Sequence, residues 1–181
     1  MPSSLRRRLL PFLLVTACAT GDGMASKLQD ASRDYNRYLR WGDQDRAAAF
    51  LPSGSQQAFI EQREALADRL SLVEYEVTRM TLDKQHGTAV SRVELSWHTD
   101  RDLVVRKTTL EQTWQWFEGR WILVDERRVG GTPLAGFVEP GAPHPYLPGI
   151  ETFRRTHGIK TGEEDAKKHR RAARPPRQHA G

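Results

Sequence analysis

The chain has 181 residues, 28 Lys/Arg against 23 Asp/Glu, a formal net charge of +5 and a single cysteine. This length suits one folded domain with one core, and a lone cysteine excludes an intrachain disulfide framework, so packing must hold the fold. The positive charge sits at the two ends. Arg6, Arg7 and Arg8 lie within the first 17 residues with no acid beside them, and residues 158–181 carry Lys160, Lys167, Lys168, Arg170, Arg171, Arg174 and Arg177 against Glu163, Glu164 and Asp165. The body between them is left net negative by about two charges, which excludes a basic folded domain.

Residues 1–17 read as an export signal: the three arginines precede an apolar run, Leu9 to Val15, far shorter than the roughly 20 residues that span a bilayer. Val15-Thr16-Ala17-Cys18 resembles the lipobox of bacterial lipoproteins, an aliphatic residue, two small ones and a cysteine. The resemblance implies cleavage after Ala17, acylation of the Cys18 sulfur and usually a further acyl chain on the new amino terminus. One chain, at about 0.8 kcal/mol per buried methylene, holds only marginally, whereas two or three anchor stably. Ala19 stands where an aspartate commonly retains such proteins in the inner membrane, so a Gram-negative owner would carry this one on the outer membrane, facing the periplasm. The alternatives are an ordinary secretory signal with a chance cysteine, or a start assigned too early.

After a spacer (residues 18–24), Met24, Leu28, Ala31, Tyr35 and Tyr38 recur at steps of four and three and predict a helix, stopped by Gly42. Asp43 is placed to cap a short second helix through Ala47 and Phe50, ended by Pro52. Ser53 with Gln56 offers a capping box for a third, with Phe59, Leu66 and Leu70 facing one way and Arg63 partly beside them.

The period then changes to alternation. Val73, Tyr75 and Val77 open a first strand, and the Asp83–Gly87 run is a turn. Ala89, Ser91, Val93, Leu95 and Trp97 form one face of a second. A third, from about Leu103 to Phe117, presents Val104, Leu110, Trp114 and Trp116, with Arg106, Thr108 and Gln112 interspersed. Glu118-Gly119 makes a tight hairpin into a fourth, Trp121 to Asp125. Four strands on short turns, with helices over one face, make an α+β single domain on a curved four-stranded antiparallel sheet.

Helices first and then a curved sheet ending in Trp114-Gln115-Trp116-Phe117-Glu118-Gly119-Arg120-Trp121 resembles the NTF2-like (cystatin-like) domains, over about residues 25–128. The resemblance implies a cone between helices and sheet, which ketosteroid isomerases and related cyclases of that family use for proton transfer by Asp, Tyr or His. Residues 129–157 form a Pro/Gly-rich extension in which Phe137, Tyr146, Leu147, Ile150 and Phe153 are available to pin it down, with a short helix around Ile150 to His157. Its Pro/Gly-rich run, residues 129–149, is excluded from helices and central strands. Residues 158–181 lack apolar anchors after Ile159 and read as a disordered basic tail.

Candidate pocket residues by composition are Tyr35, Tyr38, Arg106, Trp114 and Asp125. Core packing is the commoner role for such aromatics, and an ion pair for such an aspartate. No catalytic motif emerges: the six histidines lack metal-binding spacing, and neither a phosphate loop nor a nucleophile elbow is present. No cofactor or metal is therefore expected. The expected partners are the membrane through lipidated Cys18, an envelope protein or small ligand, and anionic lipid or glycan for the tail, with no nucleic acid. The reading is a lipid-anchored envelope protein with a non-catalytic binding or assembly module; an isomerase- or cyclase-type enzyme, or a small-molecule carrier, is the alternative.

Overall fold

In the computed structural model, which describes residues 22–160, the chain begins with α1 (Asp22–Trp41), α2 (Gln44–Ala48) and α3 (Ser53–Ala67). The signal, Cys18 and the tail beyond Lys160 lie outside the described residues. Helical spacing puts Leu28, Ala31, Tyr35 and Leu39 on the buried side of α1, with Met24 and Tyr38 half-buried. Gly42 ends the helix at φ +69°, where a side chain would be strained. The Asp43 carboxylate accepts from the Arg46 backbone N–H at 3.3 Å and caps α2.

The capping box expected of Ser53 and Gln56 does not form. Pro52 is the N-cap and offers no N–H for a glutamine to reach back to, so Gln56 Nε2 donates instead to the Leu51 carbonyl at 3.2 Å. Phe59 and Arg63 are the large buried side chains of α3. Leu70, expected on this helix, opens the first strand.

The sheet is an antiparallel meander of β1 (Leu70–Asp83), β2 (Thr88–Thr99), β3 (Asp102–Phe117) and β4 (Arg120–Gly131), in that spatial order. Glu118 and Gly119, at φ +49° and +80°, make the last turn; two consecutive left-handed residues match the right-handed twist of the flanking strands. β2 alternates as its sequence predicts, with Ala89, Ser91, Val93, Leu95 and Trp97 buried.

Two expectations for the sheet face fail. A register shift between Leu72 and Glu74 breaks the alternation of β1 and leaves Val73 38% exposed. Val104, placed with Leu110 and Trp114 by parity, is 60% exposed beside Leu103 and Val105, because β4 pairs with β3 only from Thr108 onward.

α1, α2 and α3 cover one end of the inner face, where Leu28, Tyr35, Leu51 and Phe59 pack on Trp114, Trp121 and Leu123. Full burial of side chains this size stabilises by about 1.5–3 kcal/mol each. The Pro/Gly-rich extension covers the other end: Leu134 and Phe137 pack on Val93, Leu95, Trp97 and Leu110. Its first three residues lengthen β4, and from 132 to 149 it runs as loop, as its composition predicts, apart from one parallel bridge between Val138 and Arg127. There the Arg128 N–H donates to the Val138 carbonyl at 2.7 Å. The short helix α4 (Ile150–Thr156) lies on the opposite face, with Phe153 against Ile122 and Val124. The observed architecture is thus the α+β arrangement of helices on a four-stranded antiparallel sheet.

Candidate functional site

Across the middle of the inner face three polar residues lie abreast. Ser91 of β2 pairs in register with Gln112 of β3, and Gln112 with Glu126 of β4; each is at most 1% exposed. A bulge decides which acid enters this row. Simple alternation from Trp121 and Leu123 would turn Asp125 inward. Instead Trp114 pairs with Leu123 and Thr113 with Asp125, so Val124 is the inserted residue and Glu126 takes the inner position opposite Gln112. Asp125 is left on the other side, where Arg127 Nε and Nη2 donate to its Oδ2 at 2.9 and 2.5 Å.

The helices add Tyr35, Asn36 and Arg63 above the row. Glu126 Oε1 accepts from Gln112 Nε2 at 2.9 Å, and its Oε2 from Tyr35 Oη at 3.1 Å and Arg63 Nη2 at 3.4 Å. Gln112 and Asn36 exchange amide hydrogen bonds at 2.9 and 3.2 Å. Ser91 Oγ donates to Gln112 Oε1 at 3.1 Å and accepts from Trp114 Nε1 at 2.9 Å. A buried network with this degree of satisfaction fixes one arrangement of its members.

Burial dominates the electrostatics. It pushes the Glu126 carboxyl above its ordinary range, against the opposing pull of Arg63 and of the hydrogen bonds from Gln112 and Tyr35. Burial, with the Glu126 charge, holds the Tyr35 phenol well above its usual value. Tyr146 is pushed up to about 12 by burial, and its Oη has no hydrogen-bond partner. His144 is lowered to about 4 by burial and by the cations Arg63 and Arg127. Its Nδ1 accepts from the Leu147 and Tyr146 backbone N–H groups at 3.1 and 3.4 Å, a role only the neutral ring fills.

The extension closes this centre. The Arg63 guanidinium lies 4.1 Å over the Phe137 ring and 5.4 Å over that of Phe59. A Cβ on Gly136, at φ +83°, would stand 2.6 Å from Leu66 Cδ1 and 3.3 Å from Arg63 Nη1, so only glycine lets the loop descend this far. A tyrosine, a glutamate and an arginine in contact are a set capable of moving a proton, and Phe137 covers the Arg63 member of it.

Open space lies outside that centre. A cleft of about 310 Å³ runs between the end of α1, α3 and the start of β1. Its walls are Leu39, Trp41, Leu66, Leu70 and Leu72, with Gln44 and Arg63 also lining it. Arg63 Nε and Gln44 Oε1 are buried without a partner. A second cleft of about 390 Å³ lies between Lys27, Asp34, Phe50 and Trp121. Among the described residues no three His, Asp or Glu side chains gather as metal ligands, and no helix is long and apolar enough to cross a membrane.

Of the residues singled out from sequence, the fold brings Tyr35 and Trp114 together, their rings edge to face at 5.9 Å. Tyr38 sits at the helix surface near Phe50, with Arg37 and Arg46 over its ring. Arg106 lies at the far end of β3, in a bidentate pair with Asp102 at 2.7 Å. Sequence reasoning missed Glu126, Gln112, Asn36 and Ser91 as a polar cluster. The one available signal was Arg63 on the apolar side of α3.

No family model matches the chain, and no curated protein does. Among solved structures, an NTF2-like protein from Cytophaga hutchinsonii is similar at 11% identity, over 59% of this chain and 97% of its own, with a TM-score of 0.48. A protein of unknown function with a cystatin-like fold from Nostoc punctiforme is similar at 12% identity, over 66% and 93%, with a TM-score of 0.46. A ketosteroid isomerase-like protein from Erwinia carotovora atroseptica is similar at 10% identity, over 58% and 95%, with a TM-score of 0.48. These likenesses concern the arrangement of helices and sheet and bring no site or activity to this chain.

Proposed function

We propose that this chain is a lipid-anchored envelope protein whose α+β domain works as a non-catalytic binding or assembly module. The observation that carries the non-catalytic part is the closed centre: Glu126 is 1% exposed and bound by Tyr35, Gln112 and Arg63, with Phe137 over the Arg63 guanidinium. The anchor rests on Val15-Thr16-Ala17-Cys18 behind a basic, apolar leader.

Both parts are tested directly. The mature amino terminus from a membrane fraction should carry the mass of an acylated Cys18 and leave that fraction in a Cys18→Ala variant; a free, uncut Cys18 overturns the anchor. Incubated with small-molecule extracts of the envelope, the protein should consume no compound. Depletion by the wild type and not by Glu126→Gln overturns the non-catalytic reading.

A second reading, a small-molecule carrier, is favoured by the partnerless Arg63 Nε and Gln44 Oε1 beside the leucine-walled cleft. A donor and an acceptor at an apolar wall suit a compact ligand with one polar end. A ligand that co-purifies and is lost on Leu66→Trp, with the fold intact, would establish it.

A further inference from the structure

Among the described residues, the most exposed large hydrophobic side chains gather at one end of the sheet. Leu103, Val104 and Val105, exposed to 77%, 60% and 56%, form an arch at the start of β3. A register shift between Trp97 and Thr99 takes this stretch out of the regular ladder. Across its base Arg106 donates to both carboxylate oxygens of Asp102 at 2.7 Å, and its guanidinium lies 5.6 Å over the Trp97 ring. The arch is therefore a closed knob, tied at the foot, with aliphatic side chains in water.

Trp41, 72% exposed at the end of α1, stands at the same end of the molecule. It lines the cleft of about 310 Å³ with Leu70, Ser71 and Leu72. Leu70 pairs with Thr99, and Thr99 with Asp102. Two strand spacings, about 10 Å, thus separate the foot of the knob from the leucine wall of the cleft.

We infer that this cleft takes the knob of a second copy of the chain, each copy giving its own and receiving its partner's about a two-fold axis. A knob and a matching cleft far apart on a surface build open chains. Side by side, they let one two-fold axis satisfy both, an isologous contact.

The charges around them fit that partner. Beside the cleft the chain reads Asp68-Arg69, and beside the knob Asp100-Arg101, all exposed. This rim is neutral in sum, so an anionic lipid surface gains nothing from it. Two-fold exchange brings the 68–69 side of one copy to the 100–101 side of the other, where antiparallel approach sets each acid against a base. The anchor lies elsewhere as well. Trp121 Nε1 donates to the Met24 carbonyl, so α1 starts beside the β3–β4 hairpin, and its 20 residues carry Trp41 about 30 Å away. Covering the knobs and Trp41 on two copies, with the cleft walls they meet, removes on the order of 1,000 Å² from water, the lower bound of a specific interface. The dimer is accordingly weak. Self-association of this kind rests on the assembly reading, names its partner and leaves no room in the cleft for the small ligand of the second reading.

The test uses the full chain with Cys18→Ala, so that an introduced cysteine is the only thiol. Ser71→Cys places one on the cleft wall and Leu103→Cys one on the knob. Mixed and mildly oxidised, these two variants should join as a 71–103 disulfide, read as a cross-linked peptide by mass spectrometry. A 103–103 disulfide should be several-fold rarer, because the two knobs stay about 10 Å apart and a disulfide needs Cα atoms within about 7 Å. In light scattering from about 10 μM to about 1 mM the Cys18→Ala parent should pass from monomer to dimer, and Leu103→Asp should weaken the dimer about tenfold or more. Val129→Asp, at a residue 37% exposed on β4, should leave it unchanged. A parent monomeric throughout, 103–103 linkage equal to 71–103, or a Leu103→Asp variant that dimerises like the parent overturns the exchange. Acylation of Cys18 is untouched by any of these, and assembly with a different protein would survive them.

Discussion

Arg63→Leu tests the reasoning about the buried centre most sharply. Arg63 and Glu126 are 6% and 1% exposed and paired at 3.4 Å. Removing one partner of such a pair strands the other, at a cost of about 3–5 kcal/mol. For a domain of this size the midpoint of thermal unfolding should fall by roughly 10–20 °C.

The pH dependence carries the sign. The Glu126 carboxyl is already raised above its ordinary 4.5 by burial, so the folded state holds that proton more firmly than the unfolded chain. Stability from this group is therefore greatest in mild acid and declines as the pH rises past the unfolded value. Without Arg63 the folded value climbs further and the decline extends toward neutrality. Urea titrations of the unacylated chain from about pH 5 to about pH 8 should show the Arg63→Leu loss growing with pH. Adding Glu126→Gln, which removes the stranded charge, should recover a large part of it. A loss below about 1 kcal/mol, or one independent of pH and indifferent to Glu126→Gln, would show that the pair does not organise the centre.

His144 has the opposite sign. Held near 4 when folded against an ordinary 6.5, it takes up its proton first in the unfolded chain, so its contribution to stability drains away as the pH falls from 6.5 toward 4. His144→Asn, whose Oδ1 can accept from the same Leu147 and Tyr146 N–H groups, should flatten that slope in urea titrations; an unchanged slope would remove His144 from the account. Gly131→Ala should cost about 2 kcal/mol or more, from a left-handed backbone and the approach to Lys107 O, and wild-type stability in the same assay would contradict that geometry.

Helices, strands and turns were readable because each rests on a local signal: three-four spacing before Tyr38, alternation from Ala89 to Trp97, and the Glu118-Gly119 hairpin. The buried centre was not, because it depends on register. Whether Asp125 or Glu126 faces the core is decided by one inserted residue, Val124, and adjacent acids give no hint of it. The extension was equally opaque. Its prolines and glycines announce a loop, and nothing local tells whether Leu134 and Phe137 lie on the surface or, as found, complete the core over Val93 and Leu110. Ser53 and Gln56 show the converse, a motif present in letters and cancelled by the proline before it.

The late position of the extension bears on how the polypeptide is assembled in time. Trp121 Nε1 donates to the Met24 carbonyl across 97 positions, and Ser55 Oγ to the Tyr146 carbonyl across 91. Contacts of such sequence separation slow folding, because loop closure precedes any reward. A chain emerging from a ribosome makes its hairpins early but keeps Arg63 and Glu126 wet until Phe137 has followed. The ion pair becomes dry only when nearly the whole domain has been delivered, so the final commitment to the folded state falls after synthesis.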